Sequence, residues 1–284
     1  MIETAMPIVV QGFLLSGLYA IIALGFTMIY SVGGVLNLSH AGYVMVAGYV
    51  FYTMLQVLGL PMGLAILIAV SVGSGLALAT YMGLVRHYLY NPVVVFISTA
   101  LLAFIMDHAM TLAYHLRSIN VWPIVAGTST FFGAYVSNNL IGTLIASWIC
   151  IAGVLLFVRS THMGRAIRAL AMDRRGAIIS GINPDRVNLV TWALSGALAG
   201  LAGVFYGSYT SLIPTMWVMP LVMSFAIVII GGLGSIEGSL IGAQIVGFTE
   251  TATTLAIDPK LRSVFVMVIM IAVLVTRPKG LLGR

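Results

Sequence analysis

The sequence predicts an all-α fold: a polytopic transmembrane helical bundle of about eight or nine crossings, with broken helices, in one domain over residues 1–284. Three observations predict it. The chain is 61% hydrophobic and 7% charged, where soluble domains carry roughly 25% charged residues. Apolar windows of about 20 residues, the length a helix needs to cross the hydrocarbon core, recur from end to end, whereas a membrane barrel would show short alternating segments. No segment is long and polar enough to make a soluble domain, so nearly all of the chain lies in or beside lipid.

Taken in order, the windows fall at residues 7–30, 41–60, 61–85, 93–113, 140–158, 187–207, 218–236, 238–256 and 263–276. The first is read as a retained helix. Its leader "MIETAMP" lacks the basic region of a signal peptide, and the apolar run that follows is too long. The seventh contains "LVMSFAIVII", residues 221–230, which taken alone is short enough to be re-entrant instead. The last window is short. Cys150, the single cysteine, can form no internal disulfide and reads as a small buried hydrophobe.

Cytoplasmic loops carry an excess of Lys and Arg. With nine crossings, all thirteen basic residues except Arg117, Lys260 and Arg262 share one side: Arg86, the loop 159–186 and the tail "RPKGLLGR". That side, with the C-terminus, is assigned to the cytoplasm. The net charge of +6 is then a topology signal. A nucleic-acid surface would interleave aromatics with its basic residues, and none does, so no nucleic-acid partner is expected.

The loop 159–186 reads "RSTHMGRAIRALAMDRRGAIISGINPDR". Wound as one helix, it puts Arg165, Arg168 and Arg175 in one sector and Ile167, Leu170, Ala171 and Ile178 in another, with Arg174 off the pattern. Gly181 and Pro184 end it. A short amphipathic helix tethered at both ends either lies on lipid headgroups or docks into a partner.

Two stretches interrupt the apolar helices with glycine and polar residues: "GGVLNLSHAGYVMVAGY", residues 33–49, and "GGLGSIEGSLIGAQIVG", residues 231–247. Backbone freed by an unwound helix cannot face lipid, so breaks survive only inside protein or along a water-filled cavity. Paired breaks in the two halves of a transporter point to its solute path. The candidate path residues are Asn37, Ser39, His40 and Gly42 in the first stretch, and Gly231, Gly232, Gly234, Ser235 and Glu237 in the second. Ser39 and Ser235 are each placed to cap a following helix, whose positive end would face a passing carboxylate. The competing reading is close packing, since Gly234, Gly238 and Gly242 recur every four residues, with His40 as an interhelical hydrogen-bond donor.

Asp107 and His108 lie within an apolar window, and ionisable residues there are functional candidates. His108, Thr111 and His115 share a helix face and resemble a proton relay; the alternative is a hydrogen-bonded packing cluster, with Glu237 and Glu250 as similar polar glue. The five histidines are scattered without an HxxxH or CxxC pair, so no metal site is expected. No nucleophile elbow, metal motif or assignable carboxylate pair suggests an enzyme. The only lysines, Lys260 and Lys279, each follow a proline, so there is no phosphate-binding loop, and any ATP is bound by another chain.

At the level of whole motifs, "FTMIYSVGGVLNLSHAGYVMVAGYV", "GRAIRALAMDRRGAIISGINPDRVNLVTWALSGALAGLAGVFYG", "IGGLGSIEGSLIGA" and "RPKGLLG" resemble the LivH-type permease subunits of branched-chain amino-acid ABC importers. The resemblance implies a type II-like ABC importer fold in a prokaryotic inner membrane and a pore shared with a second, LivM-like permease. It also implies two cytoplasmic ATPase subunits, which hold the ATP and Mg, and a periplasmic or surface-tethered solute-binding protein; this chain itself binds no cofactor. It makes Gly164–Ile182 the region that docks on an ATPase, through Gly164, Arg165, Ile167, Arg168, Leu170, Arg175, Ala177, Gly181 and Ile182. Where the family commonly carries Glu-Ala-Ala before Gly-Ile-Asn, this chain has Arg175, Gly176 and Ala177; where it often has His-Gly, Ala41 follows His40. Leucine, isoleucine or valine is the implied solute. The rival reading is a proton-coupled transporter working alone through Asp107, His108 and His115.

Overall fold

The computed structural model describes residues 2–131 and 134–283. All nine predicted windows fall on helices. These are α1 (Ile2–Gly33), α2 (Ser39–Tyr52, running on into a wider turn over Thr53–Val57), α3 (Met62–Tyr88), α4 (Pro92–Tyr114) and α5 (Asn138–Ser160). After the loop segments α6 (His162–Met172) and α7 (Arg174–Ile179) come α8 (Pro184–Tyr209), α9 (Pro214–Gly231), α10 (Ile236–Ala256) and α11 (Arg262–Thr276). Seven of these, α11 being taken with the turn before it as Pro259–Thr276, are long and apolar enough to cross a membrane. The other two long elements depart for different reasons: α2 is only 14 residues long, and α10 carries Glu237, Gln244, Glu250 and four threonines. Residues 221–230, short enough by themselves to be re-entrant, belong to the 18-residue helix Pro214–Gly231.

Local chemistry sets the helix starts. Pro92 and Pro184 occupy first-turn positions, where the missing N–H costs nothing. Asn183 Oδ1 accepts from the N–H of Asp185 at 3.0 Å and of Arg186 at 3.2 Å, and Ser235 Oγ accepts from Gly238 N at 3.0 Å, as an N-cap should. A short antiparallel hairpin, β1 (Thr128–Phe131) with β2 (Ala134–Ser137), precedes α5.

α1 is apolar all round, which suits a helix surrounded by other helices. It packs on α5, α8, α9 and α10, and Leu18, Ile21, Ile22, Ala23 and Leu24 have no exposed surface. Small residues bring the backbones together. Gly73 of α3 sits against Gly196 and Gly200 of α8 so closely that a Cβ on any of them would strike the facing backbone.

The two ends of the bundle differ in charge. Val32 at the end of α1 packs with Ile167, Leu170, Ala177 and Val187. Arg86 meets Asp185 at 2.9 Å and Arg159 meets Glu237 at 2.8 Å. The tail folds back there too, with Leu281 N donating to Ile230 O and Leu282 N to Gly231 O, both at 2.9 Å. At the opposite end, Val136 and Leu140 pack on Leu14, and Ile119 bridges to Leu212.

The loop 159–186 is not one helix. Asp173, at φ −148° and ψ 107°, separates α6 from α7 and caps the second, accepting from Arg175 N at 2.9 Å. A single helical projection therefore fails, and Ala171 and Ile178, placed by it with the buried residues, are exposed.

Candidate functional site

The two breaks occupy different depths. α1 ends at Gly33, Gly34 adopts φ +64°, and the chain turns back into the bundle, so that α2 begins beside the middle of α1. His40 Nε2 donates to the carbonyl of Ile22 at 3.1 Å. A carbonyl only accepts, so this nitrogen carries a proton. On the other side of the ring, Nδ1 lies 3.3 Å from Ser195 Oγ, near the middle of α8. Ser195 donates to Gly25 O at 2.7 Å. Ring stacking on Phe26 and Tyr43, both edge-on, completes the seat.

The capping residue is not the one anticipated. Ser39 is already helical; Asn37 Oδ1 accepts from Ser39 N at 3.2 Å and from Ser39 Oγ at 2.6 Å. With its proton so used, Ser39 Oγ accepts from the Tyr43 hydroxyl at 2.7 Å. Leu38 N donates to Thr99 Oγ1 of α4 at 3.2 Å. Asn37, Ser39 and His40 are at most 1% exposed. Gly42 faces α4, where a Cβ would lie 2.9 Å from Met106 Sδ. Thus α2 is a partial helix whose positive end is buried within the bundle, running alongside α4 towards Tyr49 and Tyr114.

The second break lies at the basic end of the bundle. Gly231 and Gly238 are in direct backbone contact, closing the α9–α10 turn. Gly234 (φ +82°) turns the chain beside Tyr30 and Ser31, and Gly232 (φ +106°) is covered by Lys279 and Gly283 of the tail. Ser235 caps α10, and Glu237 is exposed and paired with Arg159. The structure therefore does not bring the two sets of path residues together. The first set sits at mid-depth, and the second adjoins the loop 159–186.

In that loop, Gly164 is pressed on Phe157 and Val158, while Ile167, Leu170 and Ala177 are buried against Val32 and Val187, with Ile182 at the edge of the same cluster. Arg165, Arg168, Arg175 and Gly181 are exposed. Arg165 contacts His162 Nδ1 at 2.9 Å and Arg168 donates to Arg159 O at 3.2 Å. Met172 and Ile179 are 77% and 86% exposed, so the outward surface mixes cations with apolar side chains.

The relay is not assembled as a chain: Asp107 Oδ2 lies 3.9 Å from His108 Nδ1, but His115 does not continue it. The His108 side chain is 76% exposed and contacts Phe104 O of its own helix at 2.9 Å. His115 lies beyond the end of α4 at φ +59°, off the face it was expected to share. Glu250 does serve as polar glue: Tyr19 donates to it, and Arg262 Nη1 reaches it at 3.3 Å, joining α1, α10 and α11.

Ser195, Thr99, Tyr43 and the Ile22 carbonyl are site groups that sequence reasoning missed. Ser195 and Thr99 were visible only as isolated hydroxyls in apolar helices, and a backbone carbonyl leaves no mark in a sequence.

A helical bundle with a helix start buried at mid-depth, linked through α1 and α8 to an amphipathic segment at its basic end, defines a polytopic membrane permease. The chain belongs to the family described as branched-chain amino acid transport system / permease component, whose model matches residues 8–274. It is 29% identical to the high-affinity branched-chain amino acid transport system permease protein LivH of Escherichia coli K12, over 96% of this chain and 94% of that protein. It is 30% identical to the probable branched-chain amino acid transport permease LivH of Methanocaldococcus jannaschii, over 94% and 89%, and 26% identical to the autoinducer 2 import system permease LsrD of Salmonella paratyphi B, over 92% and 80%. These relatives are transport permeases and not enzymes. No solved structure is significantly similar to the chain.

Proposed function

We propose that this chain forms half of the translocation path of an ATP-driven importer for branched-chain, hydrophobic amino acids in a prokaryotic inner membrane, with its C-terminus in the cytoplasm. A second, LivM-like permease supplies the other half. Two cytoplasmic ATPase subunits bind ATP and Mg, and an extracytoplasmic solute-binding protein delivers the solute. The solute class comes from the LivH relatives, which makes leucine the probe to test first.

The observation that carries this reading is the seat of the loop 159–186. Its apolar residues are buried on Val32 and Val187, the ends of the two helices that also hold His40, while its arginines point outward. A push on that segment reaches the α1–α2 break through two rigid helices, the kind of contiguous element through which coupling passes. Glu237, through Arg159, ties the α9–α10 turn to the same segment. In this reading Asn37, Ser39, His40 and Gly42 belong to the path, and Gly231, Gly232, Gly234, Ser235 and Glu237 to its transmission.

The test is reconstitution of the chain with its partner subunits in vesicles. Leucine uptake should require ATP and the ATPase subunits, and Arg165→Glu with Arg168→Glu should abolish solute-stimulated ATP hydrolysis in an inserted, assembled complex. Uphill uptake by this chain alone, or full coupling in the double variant, would overturn the reading.

A further inference from the structure

The geometry points to a carboxylate-binding station at the buried N-terminus of α2, formed by the Asn37 side-chain amide and the positive end of that helix. The inference rests on the importer reading, because it names the part of the solute that this region would recognise. Two independent observations meet here. The first is the helix end. α2 is 14 residues long, starts at mid-depth in an apolar bundle, and aims its partial positive charge into protein instead of water. Its first N–H groups have only long partners: Leu38 to Thr99 at 3.2 Å, Ser39 to Asn37 Oδ1 at 3.2 Å, and His40 to Asn37 O at 3.4 Å.

The second is Asn37 itself. It is 1% exposed, its Oδ1 is fully used by Ser39, and its Nδ2 is buried without a hydrogen-bond partner among the described residues. Buried amide donors are nearly always paired, so an orphan asks for an acceptor that comes and goes. Both groups call for the same chemistry, an anionic oxygen.

Among the described side chains, no acid is placed to serve this site. Of its seven acids, Asp173 and Asp258 cap other elements, Asp185 and Glu237 pair with Arg86 and Arg159, and Glu250 is held by Tyr19 and Arg262. Asp107 lies farther along α4, past Thr99, and Glu3 is at the far end of α1. An amino acid in transit carries the missing group on every member of its class, whatever its side chain. A station of this kind would hold the common carboxylate and leave selectivity among side chains to other contacts.

Asn37→Ser tests this without burying a new charge, which in an apolar bundle would be costly whatever the residue does. It retains a hydroxyl acceptor for the Ser39 N–H and removes the amide donors. A purely structural Asn37 should lose uptake only in step with thermal stability. In vesicles holding the full importer, leucine uptake by Asn37→Ser should fall at least tenfold while assembly and the thermal midpoint hold. Asn37→Thr, which also keeps a hydroxyl and no amide, carries the same comparison should the serine variant not assemble. Uptake close to the unmodified complex overturns the station, as does a loss of uptake, ATP turnover and thermal stability in the same proportion. If the unmodified complex takes up no leucine with ATP, the importer reading itself has failed, which is a different result.

Discussion

His40 Nε2 donates to the carbonyl of Ile22 at 3.1 Å, across a chain reversal that brings residue 40 back to the level of residue 22. Gly25 makes the contact possible: a Cβ there would lie 2.7 Å from His40 Cε1. The fit of this ring sets where α2 begins. Gly25→Val should force the ring out and destabilise the protein by about 1–3 kcal/mol, and His40→Ala should cost about 2–4 kcal/mol through the lost hydrogen bonds and the cavity. Both are read as loss of thermal stability in detergent. A neutral Gly25→Val would mean that the ring is loosely held.

Glu250 is a carboxylate with 5% side-chain exposure, held by Tyr19 and Arg262. Removing one partner of a buried charged pair strands the other. Arg262→Ala is expected to destabilise by about 3–5 kcal/mol; its own 39% exposure sets the effect at the lower end. Tyr19→Phe, which deletes one hydrogen bond to a charged group, should cost about 1.5–3 kcal/mol. Combining the two changes should give less than their sum, since both act on one carboxylate.

The pair Arg159–Glu237 is different, being 63% and 67% exposed at 2.8 Å. An exposed pair contributes no more than about 1 kcal/mol, so Glu237→Gln should barely move the thermal midpoint. If the pair transmits motion, solute-stimulated ATP hydrolysis should fall several-fold, and the exchange Arg159→Glu with Glu237→Arg should restore it. An unchanged ATPase in Glu237→Gln would leave the pair as surface decoration.

Two glycines give opposite expectations. Gly238 of α10 is in backbone contact with Gly231, so Gly238→Ala should splay the hairpin and cost about 1–3 kcal/mol. A Cβ added to Gly75 of α3 would meet nothing within 4 Å, and the residue sits inside a helix, so Gly75→Ala should stabilise by about 0.5–1 kcal/mol. Paired thermal denaturation of the two variants checks both signs.

Much of this protein was legible along the chain. Membrane helices are long apolar runs and need no partner to be recognised, so all nine windows appear as helices, and Gly181 and Pro184, read as the end of the loop segment, do follow the end of α7 at Ile179. The amphipathic character of His162–Met172 was equally local. Asp173 was the exception: it splits the loop because its side chain caps α7, a choice between continuing and restarting that the surrounding packing settles. Ser39 looked like the cap of α2, but the fold gives that part to Asn37.

What the sequence by itself determined is membrane residence, the helical segments and the side of the bundle on which the basic residues gather, because each follows from hydropathy, helix period and charge over short windows. Only the tertiary structure decided that the first glycine-rich break is buried at mid-depth against Ile22 and Ser195 while the second is a turn covered by the tail. Depth depends on which distant backbones touch. Ser195 is 155 residues from His40, and no local pattern encodes that meeting.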